Sequence, residues 1–176
     1  MKRLLIVVDY QNDFVAGSLG FPKAVDLEEP ICRKIAAYRN RGDEIVFTLD
    51  THADDYLTTQ EGRRLPAPHC LKGSEGWQLY GKVASLKSPR DKVFEKPTFG
   101  SIDLMEYLRD GSYAVIELCG LVTNMCVLSN AVIAKTAQPE AEIMIDETCV
   151  ASNDESLHKK TLDVLASIHC TIQNRT

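Results

Sequence analysis

Residues 3–9 of the chain read RLLIVVD, an apolar run that ends at an aspartate. A short, continuous, β-branched-rich run of this kind is typical of a strand buried on both faces of a sheet. Similar runs predict further strands at residues 44–49, 92–95, 113–119, 142–145 and 170–173. Helical periodicity predicts helices at residues 28–41, 101–109 and 124–136, and a last helix after a capping box formed by Ser152 and Glu155. Strands that alternate with helices predict an α/β fold, a doubly wound, mostly parallel sheet of about six strands with helices on both faces.

The length of 176 residues predicts a single domain, residues 1–176, because domains of about 150 residues are usual. The 44% hydrophobic and 26% charged content is typical of a globular protein. The net charge of −5 favours neither nucleic acid nor an anionic membrane as a partner. The first apolar run, Leu4 to Val8, is shorter than the about 7 residues of a signal peptide or the about 20 of a membrane helix. We therefore expect a cytoplasmic protein.

The chain contains six cysteines and no CxxC pair, which argues against a zinc ribbon. A cytosolic chain of this size needs no disulfide framework, so each cysteine is expected to be a small buried hydrophobe unless other observations single it out.

Polar residues follow three of the predicted strands. Asp9 and Asp50 each end an apolar run, and a turn begins at Gly120 after another. In doubly wound folds the chemistry lies beyond the carboxyl ends of the strands, so these positions predict a functional site.

Cys126 lies in the segment GLVTNMCV, residues 120–127, which leads from a predicted strand through a tight turn into a helix. The first turn of a helix favours a thiolate through the helix dipole, and its backbone N–H groups can hold an oxyanion. On this evidence a nucleophile and an ordinary core cysteine stay equally open.

Asp9 and Lys96 are candidates for proton transfer beside such a thiol. A carboxylate can take the thiol proton and return it to a leaving amine, but an aspartate at a strand end also commonly caps the following turn. For Lys96 the spacing alone favours a solvated surface lysine.

Asp50, His52 and His69 form a second cluster of polar side chains. Two imidazoles and a carboxylate suit a divalent ion and leave positions open for water or substrate. The nearby Asp54, Asp55 and Glu61 are further candidate ligands. A hydrogen-bonded pair is the more common role of Asp-x-His. The polar 51–88 region that holds these residues is long enough to be either functional or disordered, and a partner chain that completes it in a homo-oligomer stays open.

Five segments in this order resemble the isochorismatase-like cysteine hydrolases, and among them the nicotinamidase branch. They are IVVDYQNDF around Asp9, DTH at residues 50–52, LPAPHC at 65–70, EKPTFGS at 95–101 and GLVTNMCV at 120–127. The resemblance covers nearly the whole chain and implies the same doubly wound sheet of about six strands.

The resemblance implies a catalytic triad of Cys126 as nucleophile, Asp9 as base and Lys96 as the cation near both. It also implies a cis peptide bond between Leu121 and Val122 and an oxyanion hole made by the backbone N–H groups of Val122 and Cys126. The implied reaction is the hydrolysis of a small carboxamide through a cysteine thioester, with nicotinamide giving nicotinate and ammonia for NAD salvage.

In the nicotinamidase branch Asp50, His52 and His69 match the metal ligands, and Glu61 is similar to a fourth ligand of some members. The implied metal is zinc, with iron or manganese as alternatives. Phe14, Leu65 and Phe99 are candidate walls for a flat ring, although core packing is an equally ordinary role for the phenylalanines.

Three positions depart from the usual pattern of this branch. Leu65 stands where an aromatic residue is common, Tyr56 lies where a second histidine often follows the Asp-x-His pair, and Asn124 stands where an aspartate is frequent after the turn threonine. Two alternatives therefore remain, a family amidase that acts on a carbamoyl or ureido compound and a catalytically silent member that binds a metabolite.

Overall fold

The computed structural model describes residues 1–175 and contains one six-stranded sheet in the order β3-β2-β1-β4-β5-β6. The strands are β1 Arg3–Val8, β2 Glu44–Asp50, β3 Lys92–Lys96, β4 Val115–Leu121, β5 Glu142–Ala151 and β6 Thr171–Gln173. Every neighbouring pair is parallel. The predicted fold class is therefore confirmed.

Eight α-helices and two shorter helical turns connect the strands within the described residues. The helices are α1 Asn12–Val15, α2 Pro22–Asp26, α3 Glu28–Arg41, α4 Gln60–Arg64, α5 Gly81–Leu86, α6 Ile102–Arg109, α7 Leu128–Ala137 and α8 Glu155–Ser167, and the turns are a 3₁₀ turn Tyr56–Thr58 and a π-helical turn Thr123–Val127. Among residues 1–175 none of these helices has the length and apolar character needed to cross a bilayer.

The sheet separates two hydrophobic cores, as the continuous apolar run of β1 predicts. Leu4, Ile6 and Val8 point to one face, where they join side chains of α6, α7 and α8. Leu5 and Val7 point to the other face and pack with side chains of α3 and α5. Each fully buried aliphatic side chain contributes about 1.5–3 kcal/mol, so β1 anchors both layers.

Glycine or a side-chain cap marks the ends of three helices. Gly42 ends α3 with a left-handed φ of 73°, and the Ser101 hydroxyl accepts a hydrogen bond from the Leu104 N–H at the start of α6. At α8 the predicted cap is wrong. Asp154, not Ser152, accepts from the N–H of Leu157, because the helix begins only at Glu155.

Strand β4 lies two residues later than the run 113–119 predicts and continues through Gly120 and Leu121. Gly120 pairs with Val8 on one side and Val150 on the other. Its φ is 114°, and a Cβ at this position would lie 2.0 Å from the carbonyl oxygen of Val8. Only glycine permits this close approach, which extends β4 beyond the apolar run.

Strand β5 is also longer than residues 142–145, because its pairing with β4 resumes at Val150 and Ala151 after a register shift. The region 51–88 is ordered and contains the 3₁₀ turn, α4 and α5. It is tied back to the rest of the fold by polar contacts such as the hydrogen bond from Nε2 of Gln11, which follows β1, to the carbonyl of Trp77.

Candidate active site

Asp9 leaves the C-terminal end of β1 and is completely buried. Its backbone N–H donates to the carbonyl of Thr48, and the Thr48 hydroxyl donates to its Oδ1 at 2.7 Å. Asp9 adopts a left-handed φ of 44°, which turns the chain sharply at the end of the strand. Strand β2 therefore holds the Asp9 carboxylate at the carboxyl end of the sheet, where the functional site is expected.

Lys96 ends β3 and reaches into the same site, with 1% of its surface exposed. Its Nζ lies 2.6 Å from Asp9 Oδ2, 3.4 Å from Asp50 Oδ1 and 3.4 Å from Cys126 Sγ. Burial lowers the pKa of Lys96, but the neighbouring charges outweigh it and raise the pKa above the ordinary value. Lys96 is therefore a permanent cation between these groups.

Cys126 is 5% exposed and lies in the π-helical turn that precedes α7, not in the first turn of an α-helix. Burial raises the pKa of its thiol well above the usual range, and the Asp9 charge adds to this while Lys96 opposes it. The sequence predicts that a helix dipole favours the thiolate, but in the structure the effect of burial on the pKa of Cys126 is larger. Burial and the nearby carboxylate of Asp9 therefore both favour the thiol form of Cys126 over the thiolate.

The pKa of Asp9 is also raised by burial, although the positive charge of Lys96 lowers it. A raised pKa makes a carboxylate a stronger base, which suits an acceptor for the thiol proton. The three side chains can therefore pass a proton between sulfur and oxygen beside a fixed positive charge.

The turn between β4 and Cys126 begins with a cis peptide bond between Leu121 and Val122, as the resemblance implies. The carbonyl of Val122 accepts hydrogen bonds from the N–H groups of Met125 and Val127. The carbonyl of Cys126 accepts from Nδ2 of Asn130 at 2.8 Å. These bonds fix the backbone around the sulfur.

Asp50, His52 and His69 converge beside this group, each less than a tenth exposed. His52 Nε2 lies 3.0 Å and His69 Nε2 3.3 Å from Asp50 Oδ2. Glu61 Oε1 lies 3.8 Å from both imidazole nitrogens. Asp54 and Asp55 are exposed and lie outside this cluster.

The spacing of these donor atoms fits a divalent metal. Ligand atoms around a tetrahedral zinc ion lie roughly 3.4 Å apart, given bonds of about 2.1 Å. The His69 Nδ1–H donates to the carbonyl of Ala67 at 2.9 Å, which leaves Nε2 available as a ligand. Tyr56 packs its ring 4.7 Å from that of His52 and 5.0 Å from that of His69, and so occupies the place expected for a second histidine.

A cavity of about 420 Å³ opens above Cys126 and reaches the metal-binding cluster. The expected wall residues Phe14, Leu65 and Phe99 all line it, together with Leu19, Val122, Met125, Glu61, His69 and Arg64. The sulfur and an imidazole of the cluster therefore face the same, largely apolar space. Such a space suits a small flat ring with one polar end.

Several supporting residues have no signature in the sequence. Gln11 is fully buried and holds the backbone of Asp50, donating to its carbonyl at 2.9 Å and accepting from its N–H at 2.8 Å. The Thr48 hydroxyl donates to the carboxylate of Asp9, and Nδ2 of Asn130 donates to the backbone carbonyl of Cys126. Thr48 is a polar residue between Phe47 and Leu49 of β2, and Asn130 is one of several polar residues of α7, so neither stands out in the sequence.

Comparison with known proteins agrees with this fold. A family model described as the isochorismatase domain matches residues 3–175. PncA of Bacillus subtilis, an isochorismatase family protein, is 33% identical over 179 residues, which cover 95% of this chain and 96% of the relative. This chain belongs to the isochorismatase family.

Two solved structures extend the likeness. The crystal structure of nicotinamidase PncA from Bacillus subtilis has a TM-score of 0.87 at 32% identity and covers 99% of this chain and 100% of that chain. The crystal structure of N-carbamoylsarcosine amidase from Thermoplasma acidophilum has a TM-score of 0.81 at 26% identity and covers 100% of this chain and 99% of that chain. The predicted family is therefore confirmed.

Proposed function

We propose that this protein is a nicotinamidase, an amide hydrolase that converts nicotinamide and water to nicotinate and ammonia. The observation that carries the proposal is the single cavity shared by Cys126 and His69, which offers a nucleophile and a metal-binding edge to the same small ring. The similarity to nicotinamidase PncA of Bacillus subtilis supports the same reaction.

Catalysis begins when Cys126 Sγ attacks the amide carbon while Asp9 accepts the thiol proton. The backbone N–H groups of Val122 and Cys126 hold the resulting oxyanion. Lys96 stays protonated, keeps Asp9 aimed at the sulfur and balances the negative charge of the site.

Asp9 then returns its proton to the amide nitrogen, the C–N bond breaks, and ammonia leaves a thioester on Cys126. Water attacks the thioester carbon and gives one proton to Asp9. The C–S bond breaks, the sulfur takes that proton back, and the carboxylic acid loses its own proton to solvent as nicotinate.

Asp50, His52 and His69 would hold a divalent metal, with Glu61 as a further oxygen donor. The proposed metal is zinc, and iron or manganese suit the same donors. When bound, such a metal would supply a Lewis acid for the pyridine nitrogen of the substrate. Phe14, Leu65 and Phe99 would contact the faces and edge of the ring, which orients the amide toward sulfur.

We place this reaction in the cytoplasm, as a step of NAD salvage, and assign it to residues 1–176 as one hydrolase domain. All six cysteines are free and buried, which suits a reducing compartment.

A carbamoyl or ureido amidase is the second candidate. The likeness to N-carbamoylsarcosine amidase favours it, and so does Arg64, an exposed cation at the cavity that makes no ion pair within residues 1–175. A guanidinium at this position could pair with the carboxylate of a carbamoyl amino acid.

Ammonia release from nicotinamide by the purified protein tests the proposal, with and without a chelator and with Cys126→Ala. We expect release that falls at least about a thousandfold in Cys126→Ala, because the nucleophile is lost. Chelation should abolish release and added zinc should restore it. Cys32→Ala, a buried cysteine on α3 outside the site, is the matched control and should keep full activity.

No release from nicotinamide by folded, zinc-loaded protein would overturn the nicotinamidase proposal. Metal-independent release from an N-carbamoyl amino acid would then establish the second candidate. Inactivity on every amide would leave the silent metabolite-binding alternative.

A further inference from the structure

A polar chain of Thr123, His158 and Glu147 contacts the turn that carries Cys126. Thr123, fully buried, follows Val122 and begins the π-helical turn that contains Cys126. Its hydroxyl lies 2.9 Å from Nδ1 of His158, a residue of α8 that is 1% exposed. His158 Nε2 in turn lies 3.6 Å from Oε1 of Glu147 on β5.

We propose that His158 is a positioning residue for the proposed amidase reaction, which acts through Thr123 to hold the backbone N–H groups of Val122 and Cys126 in the geometry of the oxyanion hole. The proposal rests on the proposed function for its chemistry. Its geometry rests only on the contacts of Thr123, His158 and Glu147.

The direction of the hydrogen bonds follows from the charges around the imidazole. Glu147 faces Nε2 from β5, while Lys23 of α2 and Glu155 of α8 lie on the solvent side. Burial lowers the pKa of His158, and the Lys23 charge adds to this, so the imidazole is neutral at neutral pH. The negative charge of Glu147 favours the proton on Nε2, which leaves Nδ1 to accept from the Thr123 hydroxyl.

This arrangement gives the turn an anchor that β4 does not supply. The backbone bonds of the turn run from Val122 forward to Met125 and Val127, and they tie it only to its own helix. The His158 contact ties it to a different element, α8. An oxyanion hole works only when its donors are fixed before charge develops, so this anchor should act on the chemical step.

Matched variants of Thr123 separate this role from simple packing. Thr123→Val keeps the shape of the side chain and removes the hydroxyl, whereas Thr123→Ser keeps the hydroxyl. We expect Thr123→Val to lower kcat about tenfold to a hundredfold with little change in KM, and Thr123→Ser to stay within about threefold of the original enzyme.

Variants of His158 give a second matched pair. Asparagine can place its amide oxygen near the position of Nδ1, and glutamine places its amide near Nε2. His158→Asn should therefore retain most of kcat, and His158→Gln should lose it to about the same extent as Thr123→Val.

Binding of an aldehyde analogue of the substrate amide is a readout that a structural defect alone would not move. The aldehyde adds Cys126 Sγ to its carbonyl and places an oxygen in the oxyanion hole, whereas the planar acid product does not. In Thr123→Val and His158→Gln the affinity for the aldehyde should fall with kcat, while the affinity for the acid should stay unchanged.

Backbone hydrogen exchange of residues 121–127 in the substrate-free protein is the measurement that does not depend on the substrate. We expect faster exchange in Thr123→Val and His158→Gln and unchanged exchange in Thr123→Ser and His158→Asn. Equal exchange in all four variants would overturn the proposal whichever amide the enzyme cleaves. A protein that shows the expected exchange but releases no ammonia from nicotinamide would instead contradict the proposed function.

Discussion

Lys96 places one positive charge between the carboxylates of Asp9 and Asp50 and the sulfur of Cys126. In the proposed mechanism Asp9 has to be ionised to accept the thiol proton, so activity should fall as the pH drops through the pKa of Asp9. Burial has already raised that pKa, and Lys96 is the charge that limits the rise.

Lys96→Met removes this charge and should raise the pKa of Asp9 further. We predict that the acidic limb of kcat/KM moves to higher pH and that kcat falls by about 10² to 10⁴. Measuring ammonia release across pH gives both values. Lys72→Met is the matched control, since Lys72 is a largely exposed lysine paired with Glu95, and its acidic limb should not move. An unchanged limb in Lys96→Met would argue against Asp9 as the base.

Lys96 shows what the sequence can and cannot predict about the position of a single side chain. Strand β3 is an edge strand of the sheet, and Lys96 is its one buried residue; the other four are partly or fully exposed. No apolar periodicity therefore indicates that the Lys96 side chain points inward. The EKPTFGS resemblance implies the role that spacing alone does not. Gln11 lies in the IVVDYQNDF segment, but nothing there indicates its contact with Asp50, and only the pairing of β1 with β2 brings Thr48 next to Asp9.

Helix α7 packs an apolar face against the sheet and also carries a buried polar side chain. Asn130, fully buried on this helix, donates from Nδ2 to the carbonyls of Cys126 and Phe99 and accepts from the N–H of Ser101. It therefore joins the nucleophile turn to the segment that follows Lys96.

Asn130→Ala should destabilise the fold by about 2–3 kcal/mol, because buried backbone groups lose their partner. We also expect a lower kcat, since both Cys126 and the cavity wall at Phe99 lose a fixed contact. Urea denaturation and ammonia release measure the two effects. The neighbouring Ser129→Ala makes no change in this network and should be close to neutral; a similar loss in both variants would contradict the role of Asn130.

The helix that leads away from the nucleophile shows why element boundaries are difficult to predict. Residues 124–136 have a helical pattern, and the structure has a π-helical turn Thr123–Val127 before α7 begins at Leu128. Periodicity cannot separate these two kinds of helix over five residues. The extension of β4 to Leu121 likewise depends on Gly120 fitting against Val8, a contact across strands that the local pattern does not contain.

In the fold as a whole, a buried cluster of ion pairs connects α3 to the centre of the sheet. Lys34 of α3 pairs with Glu117 of β4 and with Asp146 of β5 at 2.7 Å, and the Tyr38 hydroxyl donates to Glu117 at 2.6 Å. Burial raises the pKa of Asp146, but hydrogen bonds from Lys34 and other groups outweigh it and lower the pKa to about 2.

A carboxylate with a lowered pKa stabilises the fold above its ordinary pKa and loses this contribution as the pH falls toward 2. Lys34→Met should cost about 3 kcal/mol at pH 7, because two buried carboxylates lose their counter-charge. The difference from the original protein should narrow toward about pH 3, because Asp146 in the variant lacks the Lys34 cation that lowers its pKa and can take up a proton there. Urea denaturation at both pH values checks this.

Lys82→Met is the control for Lys34→Met, because Lys82 of α5 forms an exposed pair with Glu29 of α3. Its effect should be small at both pH values, as is usual for surface pairs. A Lys34→Met effect that stays the same between pH 7 and 3 would show that packing of the lysine stem, not its charge, matters.

The sheet class, the helices on both faces and the position of the site at the strand ends all follow from the pattern of apolar runs. The strand order does not, because β1 pairs with both β2 and β4 and nothing local in RLLIVVD distinguishes these neighbours. The convergence of Asp9, Lys96 and Cys126 depends on that order.

The same order has a consequence for synthesis on the ribosome. Strands β1, β2 and β3 are neighbours in the sheet and carry Asp9, Asp50 and Lys96, and the histidines of the metal-binding cluster lie between β2 and β3. Cys126 follows only with β4. Because chains fold from the N-terminus as they emerge, a nascent chain presents the proposed proton acceptor, cation and metal ligands before it has the proposed nucleophile, and its site stays incomplete until the segment after β4 has left the ribosome.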